Sequence, residues 1–332
     1  MFADHQSAPV TDEQLTGFKV AATRVLSPYA SAVLVDKQFA FDQVVQAGVV
    51  APSCGLIAAA DQFIAGNGEF VTDVEIDRAV DPQTVKEQGA AAMKLLVIYR
   101  PDGQPATRVG MVEEFVQRCH EADLVSIIEP VAKAPRAGRV WDWDDGVLAA
   151  ARELGSLGAD LYKAEVPLKG QGEHGEIRRR CAAITAAVSS PWVVLSTGVP
   201  ADLFPTAVEL ACSQGASGFL AGRAVWASVG GSQDVERDLH EGSIPRLERL
   251  GDLRGRGAGR GAGAATPHRA DPARRGARGW LFRFLGATSV GLFAVQGLIL
   301  VLLLLDRAIV GMYFIIAGWG HGDRARSALK FF

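Results

Sequence analysis

Short runs of almost continuously apolar residues recur along the first ~250 residues of the sequence, and amphipathic segments separate them. A strand that is apolar at nearly every position is buried on both faces, which is typical of a parallel sheet covered by helices. The runs predict seven strands, at 31–36, 54–60, 93–99, 124–130, 160–166, 192–197 and 217–222. Strands and helices that alternate in this way predict an α/β fold, either a (β/α)8 barrel or a doubly wound sheet.

Polar residues stand at the carboxyl ends of several predicted strands, which is where a (β/α)8 barrel builds its active site. These residues are Asp36, Glu129, Lys163 with Glu165, Ser196, and Gly222 with Arg223. No GxGxxG motif follows the early strands, and its absence from the sequence disfavours a dinucleotide-binding sheet. We therefore predict the barrel.

The segment LYKAEV, 161–166, places a lysine and a glutamate in an otherwise apolar strand. Side chains alternate across a strand, so Leu161, Lys163 and Glu165 share one face. One interpretation is an edge strand with Lys163 in water, and the other is a reactive amine inside a barrel. Burial of an ammonium group without a partner or a function costs several kcal/mol, so the two interpretations predict very different surroundings for Lys163.

The cysteines and histidines of the sequence indicate neither a metal site nor a disulfide framework. The six histidines are scattered and form no HxxxH or HxH pair. The four cysteines match no zinc-binding spacing and are typical of reduced thiols in a cytosolic protein; they are Cys54, Cys119, Cys181 and Cys212. The polar, acidic start of the chain has no apolar core of a signal peptide, and the net charge of −3 indicates no nucleic-acid partner.

The character of the sequence changes after about residue 253. Residues 254–279 are rich in glycine and arginine and predict a disordered linker. Within the hydrophobic tail 280–332, the run 284–305 contains 22 residues without a charge, enough for a helix of about 33 Å. We predict a transmembrane helix in preference to a buried core helix, and the preceding arginines place the N-terminal domain in the cytoplasm.

Six ordered stretches within residues 17–250 carry a resemblance to a known family. They are SPYASAVLVDKQF, EQGAAAMKLLVIYRPDG, SIIEP, LYKAEVP, PWVVLSTGVPADLF and GFLAGRAVWA. In this region the sequence resembles the class I tagatose-bisphosphate aldolases, a family that also includes sulfofructosephosphate aldolases. The resemblance implies a TIM-barrel domain over 17–253. The first strand of that family ends in an Asp-Gln-Arg motif, which has no counterpart in residues 1–16.

We accordingly predict a disordered N-terminus over 1–16 and a TIM (β/α)8-type barrel that lacks its first strand. The strands at 31–36 and 217–222 then flank the place of the absent strand, and each keeps an unpaired edge.

The resemblance also implies roles for individual residues. Lys163 would form a Schiff base with the ketone carbon of the substrate, and Lys94 would help to lower its pKa. Glu129 would transfer protons at the C4 hydroxyl and in dehydration of the carbinolamine, although by position alone it is equally well a strand-capping residue. The phosphate of the ketose is assigned to Ser196, Gly198, Gly222 and Arg223.

The implied activity is cleavage of a phosphorylated ketose, such as tagatose 1,6-bisphosphate, to dihydroxyacetone phosphate and glyceraldehyde 3-phosphate, with no metal and no cofactor. The alternatives are a sulfofructosephosphate aldolase, a membrane-tethered sugar-phosphate-binding protein without turnover, and a relative of deoxyribose-phosphate aldolase. The order of the matching strands argues against the last. The predicted partners are the phosphorylated ketose, the membrane through 284–305, and further copies of the chain.

Overall fold

The computed structural model describes residues 11–66, 69–136, 138–229 and 232–261. Within them, seven parallel strands form a curled half-barrel in the order β1-β2-β5-β6-β7-β8-β9. The strands of this sheet are β1 (Ala32–Asp36), β2 (Gly55–Ala59), β5 (Ala90–Tyr99), β6 (Val125–Ala132), β7 (Leu161–Glu165), β8 (Trp192–Leu195) and β9 (Gly218–Leu220). Each coincides with one of the seven predicted runs, so the α/β fold with seven strands is confirmed.

Helices pack on the outer face of this sheet. They are α1 (Asp12–Leu26), α2 (Phe41–Ala47), α3 (Pro82–Glu87), α4 (Pro105–Glu121), α5 (Trp143–Leu154), α6 (His174–Ala187), α7 (Phe204–Cys212), α8 (Arg223–Trp226), α9 (Val235–Asp238) and α10 (Ile244–Gly261). The outward side chains of β7, such as Tyr162 and Ala164, join the main hydrophobic core with residues of these helices. At the start of α5 the Asp142 carboxylate accepts hydrogen bonds from the backbone N–H groups of Asp144 and Asp145, which fixes the first turn.

The inner face of the sheet holds a separate, smaller apolar cluster. Its buried members are Ile57 of β2, Ala92 of β5 and Ile127 of β6. Leu34 of β1 and Leu220 of β9, at opposite ends of the strand order, both pack against this cluster. Residues from the two ends of a flat sheet cannot reach a common cluster, so this contact shows that the sheet curls around its inner face.

β1 and β9 are the two ends of the strand order, as predicted from the absent first strand. Helix α1 contacts both sides of the gap between them. Lys19 pairs with Asp36 at the end of β1, while the ring of Phe18 lies 5.5 Å from that of Trp226 in α8. Helix α1 begins at Asp12 behind a Thr11–Gln14 capping box, so the predicted disorder of 1–16 is wrong for residues 11–16.

The C-terminal boundary of the domain also differs from its prediction. Helix α10 continues to Gly261, so residues 254–261, which we assigned to the disordered linker, are helical. The rest of the linker, the tail 280–332 and the transmembrane prediction for 284–305 lie outside the described residues. Across the described portion of the chain, none of the helices has both the length and the apolar character needed to cross a membrane.

An antiparallel hairpin of β3 (Asp61–Gly66) and β4 (Glu69–Ile76) was not predicted. Ion pairs attach it to the sheet, because the Glu69 carboxylate lies 2.6 Å from Arg100 and 2.7 Å from Lys133. In β4 the buried Val74 and Ile76 alternate with exposed Glu75, a period-two pattern that indicates a half-buried strand. That alternation is visible in the sequence and was the available signal for the hairpin.

Candidate active site

Lys94, Glu129 and Lys163 meet inside the half-barrel, as the resemblance implies. Each lies two residues beyond an apolar residue of the inner face, on β5, β6 and β7 respectively, so all three point inward from the middle of their strands. Nζ of Lys163 is 2.9 Å from Oε2 of Glu129, and Nζ of Lys94 is 3.4 Å from the same oxygen. Lys163 is only 8% exposed, which supports the reactive amine over the edge-strand interpretation.

Asp61 is a fourth member of this cluster, and the sequence analysis missed it. It begins β3, and its Oδ2 lies 2.5 Å from Nζ of Lys94. Its other carboxylate oxygen accepts a hydrogen bond of 2.7 Å from the backbone N–H of Leu96. Asp61 directly follows the apolar run 54–60, so the same strand-end rule that selected Asp36 and Glu129 also applies to it.

The electrostatics of the cluster distinguish its two lysines. Burial, together with the positive charge of Lys94, lowers the pKa of Lys163 below its ordinary value, although Glu129 acts in the opposite direction. Burial also acts to lower the pKa of Lys94, but the carboxylates of Asp61 and Glu129 outweigh it and raise that pKa. Lys163 therefore loses its proton more readily, while Lys94 remains an ammonium ion.

The pKa of Glu129 is lowered, because the attraction of Lys94 and Lys163 outweighs the effect of burial, which alone would raise it. A carboxylate between two amines is thus held in its ionised form. Ionised Glu129 can accept a proton from a substrate hydroxyl, which is the chemistry predicted for it.

Strands β6 and β7 separate where this cluster lies. Although both strands are described throughout, their pairing covers only Ile127 with Leu161 and Ile128 with Tyr162. On its other side β6 pairs with β5 as far as Ala132. Beyond the paired residues, the side chains of Glu129 and Lys163 bridge the two strands. A gap in a parallel sheet is thereby filled with ionisable groups instead of backbone hydrogen bonds.

The four residues predicted to bind phosphate lie together at the next strand ends. Ser196 follows β8, and its hydroxyl accepts a hydrogen bond of 3.3 Å from the backbone N–H of Gly222. Gly222 caps the short helix α8, whose first residue is the half-buried Arg223. Gly198 has a φ of +75°, a left-handed conformation that favours glycine. The geometry therefore gathers these four residues at the ends of two neighbouring strands, β8 and β9.

The cysteine thiols and the possible metal ligands of the described chain differ from this cluster. Burial raises the pKa of Cys54 and Cys212 to about 11 and that of Cys119 and Cys181 to about 12, so none of these thiols is a thiolate near neutral pH. Among the residues that the structure describes, no group of three or more histidine, cysteine, aspartate or glutamate side chains is placed to hold a metal ion.

Comparisons with known proteins identify the family of the chain. Residues 2–228 match the sequence model described as DeoC/LacD family aldolase. The chain is 26% identical over 255 residues to tagatose 1,6-diphosphate aldolase 2 of Streptococcus mutans, covering 68% of this chain and 75% of the relative. It is 26% identical over 256 residues to a tagatose 1,6-diphosphate aldolase of Staphylococcus haemolyticus, covering 69% and 77%.

Among solved structures, a fructose-bisphosphate aldolase from Slackia heliotrinireducens is similar with a TM-score of 0.56 and 15% identity. The superposition covers 80% of this chain and 84% of that one. At 15% identity, this similarity shows a shared fold and nothing about activity.

Proposed function

Because the chain belongs to the DeoC/LacD family of aldolases, we propose that it is a class I aldolase that cleaves a phosphorylated ketose through an imine on Lys163. The observation that carries this proposal is the contact of 2.9 Å between a buried lysine amine and a buried carboxylate. A neutral amine attacks a carbonyl carbon, and the lowered pKa of Lys163 favours the neutral form.

The bond changes follow from the groups around Lys163. Nζ of Lys163 attacks the C2 carbonyl to form a carbinolamine. Its hydroxyl receives a proton from solvent through Glu129 and leaves as water, and an iminium ion remains. Glu129 takes the proton of the C4 hydroxyl, the C4–O electrons form the carbonyl of the aldehyde product, and the C3–C4 electron pair moves to the iminium. The aldehyde leaves, and an enamine remains attached to Lys163.

Lys94 has a supporting role in this scheme. Its ammonium group is held by Asp61 at 2.5 Å and lies 3.4 Å from Glu129, so it favours the ionised form of Glu129. The same positive charge acts to lower the pKa of Lys163. One buried cation thus keeps the base ionised and the nucleophile neutral.

The phosphate next to the ketone is assigned to the loops after β8 and β9. In these loops Gly198 and Gly222 offer backbone N–H groups without side chains of their own, and the guanidinium group of Arg223 supplies a charge-assisted partner. Two relatives named tagatose 1,6-diphosphate aldolase support tagatose 1,6-bisphosphate as the substrate and dihydroxyacetone phosphate with glyceraldehyde 3-phosphate as the products.

Trapping of the imine tests the proposal. The full chain is incubated with dihydroxyacetone phosphate and borohydride, and the reduced adduct is located by peptide mass spectrometry. We expect the adduct on Lys163 and none in the Lys163→Met variant, whereas Lys86→Met, which alters a lysine beside Asp123, should be labelled like the wild type. An adduct on another lysine, or none in the folded wild-type protein, contradicts the proposal.

A further inference from the structure

A second buried carboxyl group lies beside Lys163 and has no part in the steps above. Glu165 is on the same face of β7 as Lys163, two residues nearer the carboxyl end, which places its Cα about 6.6 Å further along the strand. It is 5% exposed. A buried carboxyl group on the inward face of the catalytic strand requires an explanation, because burial of a carboxylate is unfavourable.

A hydrogen bond across the gap between β6 and β7 holds the Glu165 side chain in place. Its Oε2 accepts a hydrogen bond of 2.7 Å from the backbone N–H of Ala132, the last residue of β6. The side chain therefore crosses the gap between the strands in the same direction as the Lys163–Glu129 contact, and one layer above it. Glu129 and Glu165 thus both line the gap between β6 and β7, and Glu129 there contacts Nζ of Lys163.

The proposed reaction requires a second proton transfer. Cleavage places the proton of the C4 hydroxyl on Glu129 and leaves an enamine, whose C3 must receive a proton before the product is released. C3 is two bonds from Nζ of Lys163, so the donor has to lie near that nitrogen. A group that remains protonated near neutral pH, separate from Glu129, meets this requirement.

We propose that Glu165 is the acid that protonates C3 of the enamine, an inference that rests on the proposed aldolase function. The C2=C3 electron pair forms the new C3–H bond with the proton of Glu165, the nitrogen lone pair of Lys163 restores the iminium, and Glu165 becomes a carboxylate. Water then adds to C2, the carbinolamine collapses, and dihydroxyacetone phosphate leaves. Glu165 takes up a proton from solvent for the next turnover.

The charges around Glu165 support this assignment. Burial raises its pKa to about 7, and the negative charges of Glu129 on β6 and Asp144 on α5 act in the same direction. The Ala132 N–H and the positive charge of Lys169, in the turn after β7, act in the opposite direction. A carboxylic acid with this pKa is partly protonated at neutral pH and can both donate and recover a proton.

Exchange of the C3 hydrogen isolates this step, because it needs the imine and the C3 proton transfer but no aldehyde. Dihydroxyacetone phosphate at saturating concentration is incubated with the full chain in D2O, and loss of the C3 proton signal is followed by NMR. In Glu165→Gln we expect exchange to slow by about 100-fold or more, as for loss of a general acid–base group. The amide can still accept the hydrogen bond from Ala132, so imine trapping on Lys163 should remain within about threefold of the wild type.

The pH dependence provides a readout that a purely structural role would not change. In the exchange reaction the carboxylate form removes the C3 proton, so the wild-type rate should rise with pH through the region near pH 7. Glu165→Gln should lack this rise, and Glu165→Asp, which keeps the carboxyl group, should retain it at a lower rate. Glu75→Gln, an exposed change on β4, serves as the matched control and should behave as the wild type.

Three contrary outcomes have different meanings. If the wild type forms the imine and exchanges C3 hydrogen but Glu165→Gln does so at the wild-type rate, the inference about Glu165 is wrong and the aldolase proposal stands. If the wild type forms no imine and shows no exchange, the aldolase proposal itself fails. Equal loss of imine trapping and exchange in a folded Glu165→Gln variant also overturns the inference, because Glu165 would then act before the enamine forms.

Discussion

The two ends of the β6–β7 pair use polar residues in opposite ways. At the amino end, Ser126 and Asp160 tie the strands together: the Ser126 N–H and hydroxyl both donate to the Asp160 carboxylate, at 3.0 and 2.9 Å. In return the Asp160 N–H donates to the Ser126 hydroxyl at 3.1 Å. At the carboxyl end the backbone pairing stops, and the buried Glu129 and Lys163 side chains span the gap.

The difference separates stabilising from catalytic polar groups. The Ser126–Asp160 contacts join a buried hydroxyl to a single carboxylate that is still partly exposed, so they stabilise the strand pair while only one charge is partly desolvated. The carboxyl end removes two lysines and two glutamates from water, and the desolvation penalty of such ion pairs often exceeds their attraction. We infer that the buried charges at the carboxyl end are maintained for catalysis. The substitutions below test this difference between the two ends of the β6–β7 pair.

The largest expected effect is the loss of activity in Lys163→Met. Removal of the amine that forms the imine should lower kcat on the order of 10⁴-fold to 10⁶-fold. The melting temperature should not fall by more than about 3 °C, because Glu129 keeps its contact with Lys94 and the pKa of Lys163 is already lowered. Turnover assays and thermal melting measure both quantities. A folded variant with wild-type turnover would show that the charged residues at the carboxyl end of the β6–β7 pair are not maintained for catalysis.

Glu129→Gln is expected to lower the rate of ketose cleavage by about 10²-fold to 10⁴-fold, the usual consequence of losing a general base. Lys94 retains its contact with Asp61, so the fold should persist. Single-turnover release of the aldehyde is the measurement, and thermal melting is the control. Cleavage at the wild-type rate would show that another group accepts the C4 hydroxyl proton.

Arg223→Ala should weaken binding of phosphorylated substrates by about tenfold to a hundredfold, because a charge-assisted hydrogen bond contributes about 1.5–3 kcal/mol. Arg223 lies half-buried just after β9, two strands away from β7, so the substitution should leave folding nearly unchanged. Steady-state KM for the ketose bisphosphate is compared with KM for dihydroxyacetone, which carries no phosphate. Equal losses for both compounds would mean that Arg223 does not contact the phosphate.

At the amino end, Asp160→Asn should affect stability and leave turnover unchanged. Although burial acts to raise it, contacts with His120 and Ser126 hold the pKa of Asp160 below its ordinary value of 3.8. A lowered carboxyl pKa stabilises the fold above about pH 4, and this contribution is lost as the pH falls through the folded-state pKa. We therefore expect the variant to be less stable by about 1–3 kcal/mol at neutral pH.

Urea unfolding monitored between pH 7 and pH 3 measures the contribution of Asp160. The difference between wild type and variant should be constant at the upper end of this range and should shrink below about pH 4. Asp123→Asn, at an exposed turn next to the amino end of β6, is the control and should show a smaller change. A loss of turnover in folded Asp160→Asn would contradict the division between the two ends.

Much of the site could be predicted from the sequence, because its residues stand at the ends of recognisable strands. Lys163 and Glu129 follow from this rule and from the ordered resemblance to an aldolase family. Asp61 is hard to identify from the sequence because the short β3 is largely exposed and lacks an apolar pattern. The start of α1 is hard to identify because its first turn is polar, and the Thr11–Gln14 capping box is the one local signal for it.

The sequence by itself determined the seven strands of the main sheet and the faces of those strands. Apolar runs and the two-residue period of a strand depend on local chemistry, so they already place Lys163 and Glu165 together with Leu161 on one side of β7. The tertiary structure decided which groups meet. Curvature of the sheet, separation of β6 from β7 and attachment of the hairpin bring Asp61, Lys94, Glu129 and Lys163 into one buried cluster. The direction of each pKa shift depends on how deeply the group is buried and on its distances to the other charges of the cluster. Residues far apart in the chain determine the burial and the distances, so neither can be read from the local sequence.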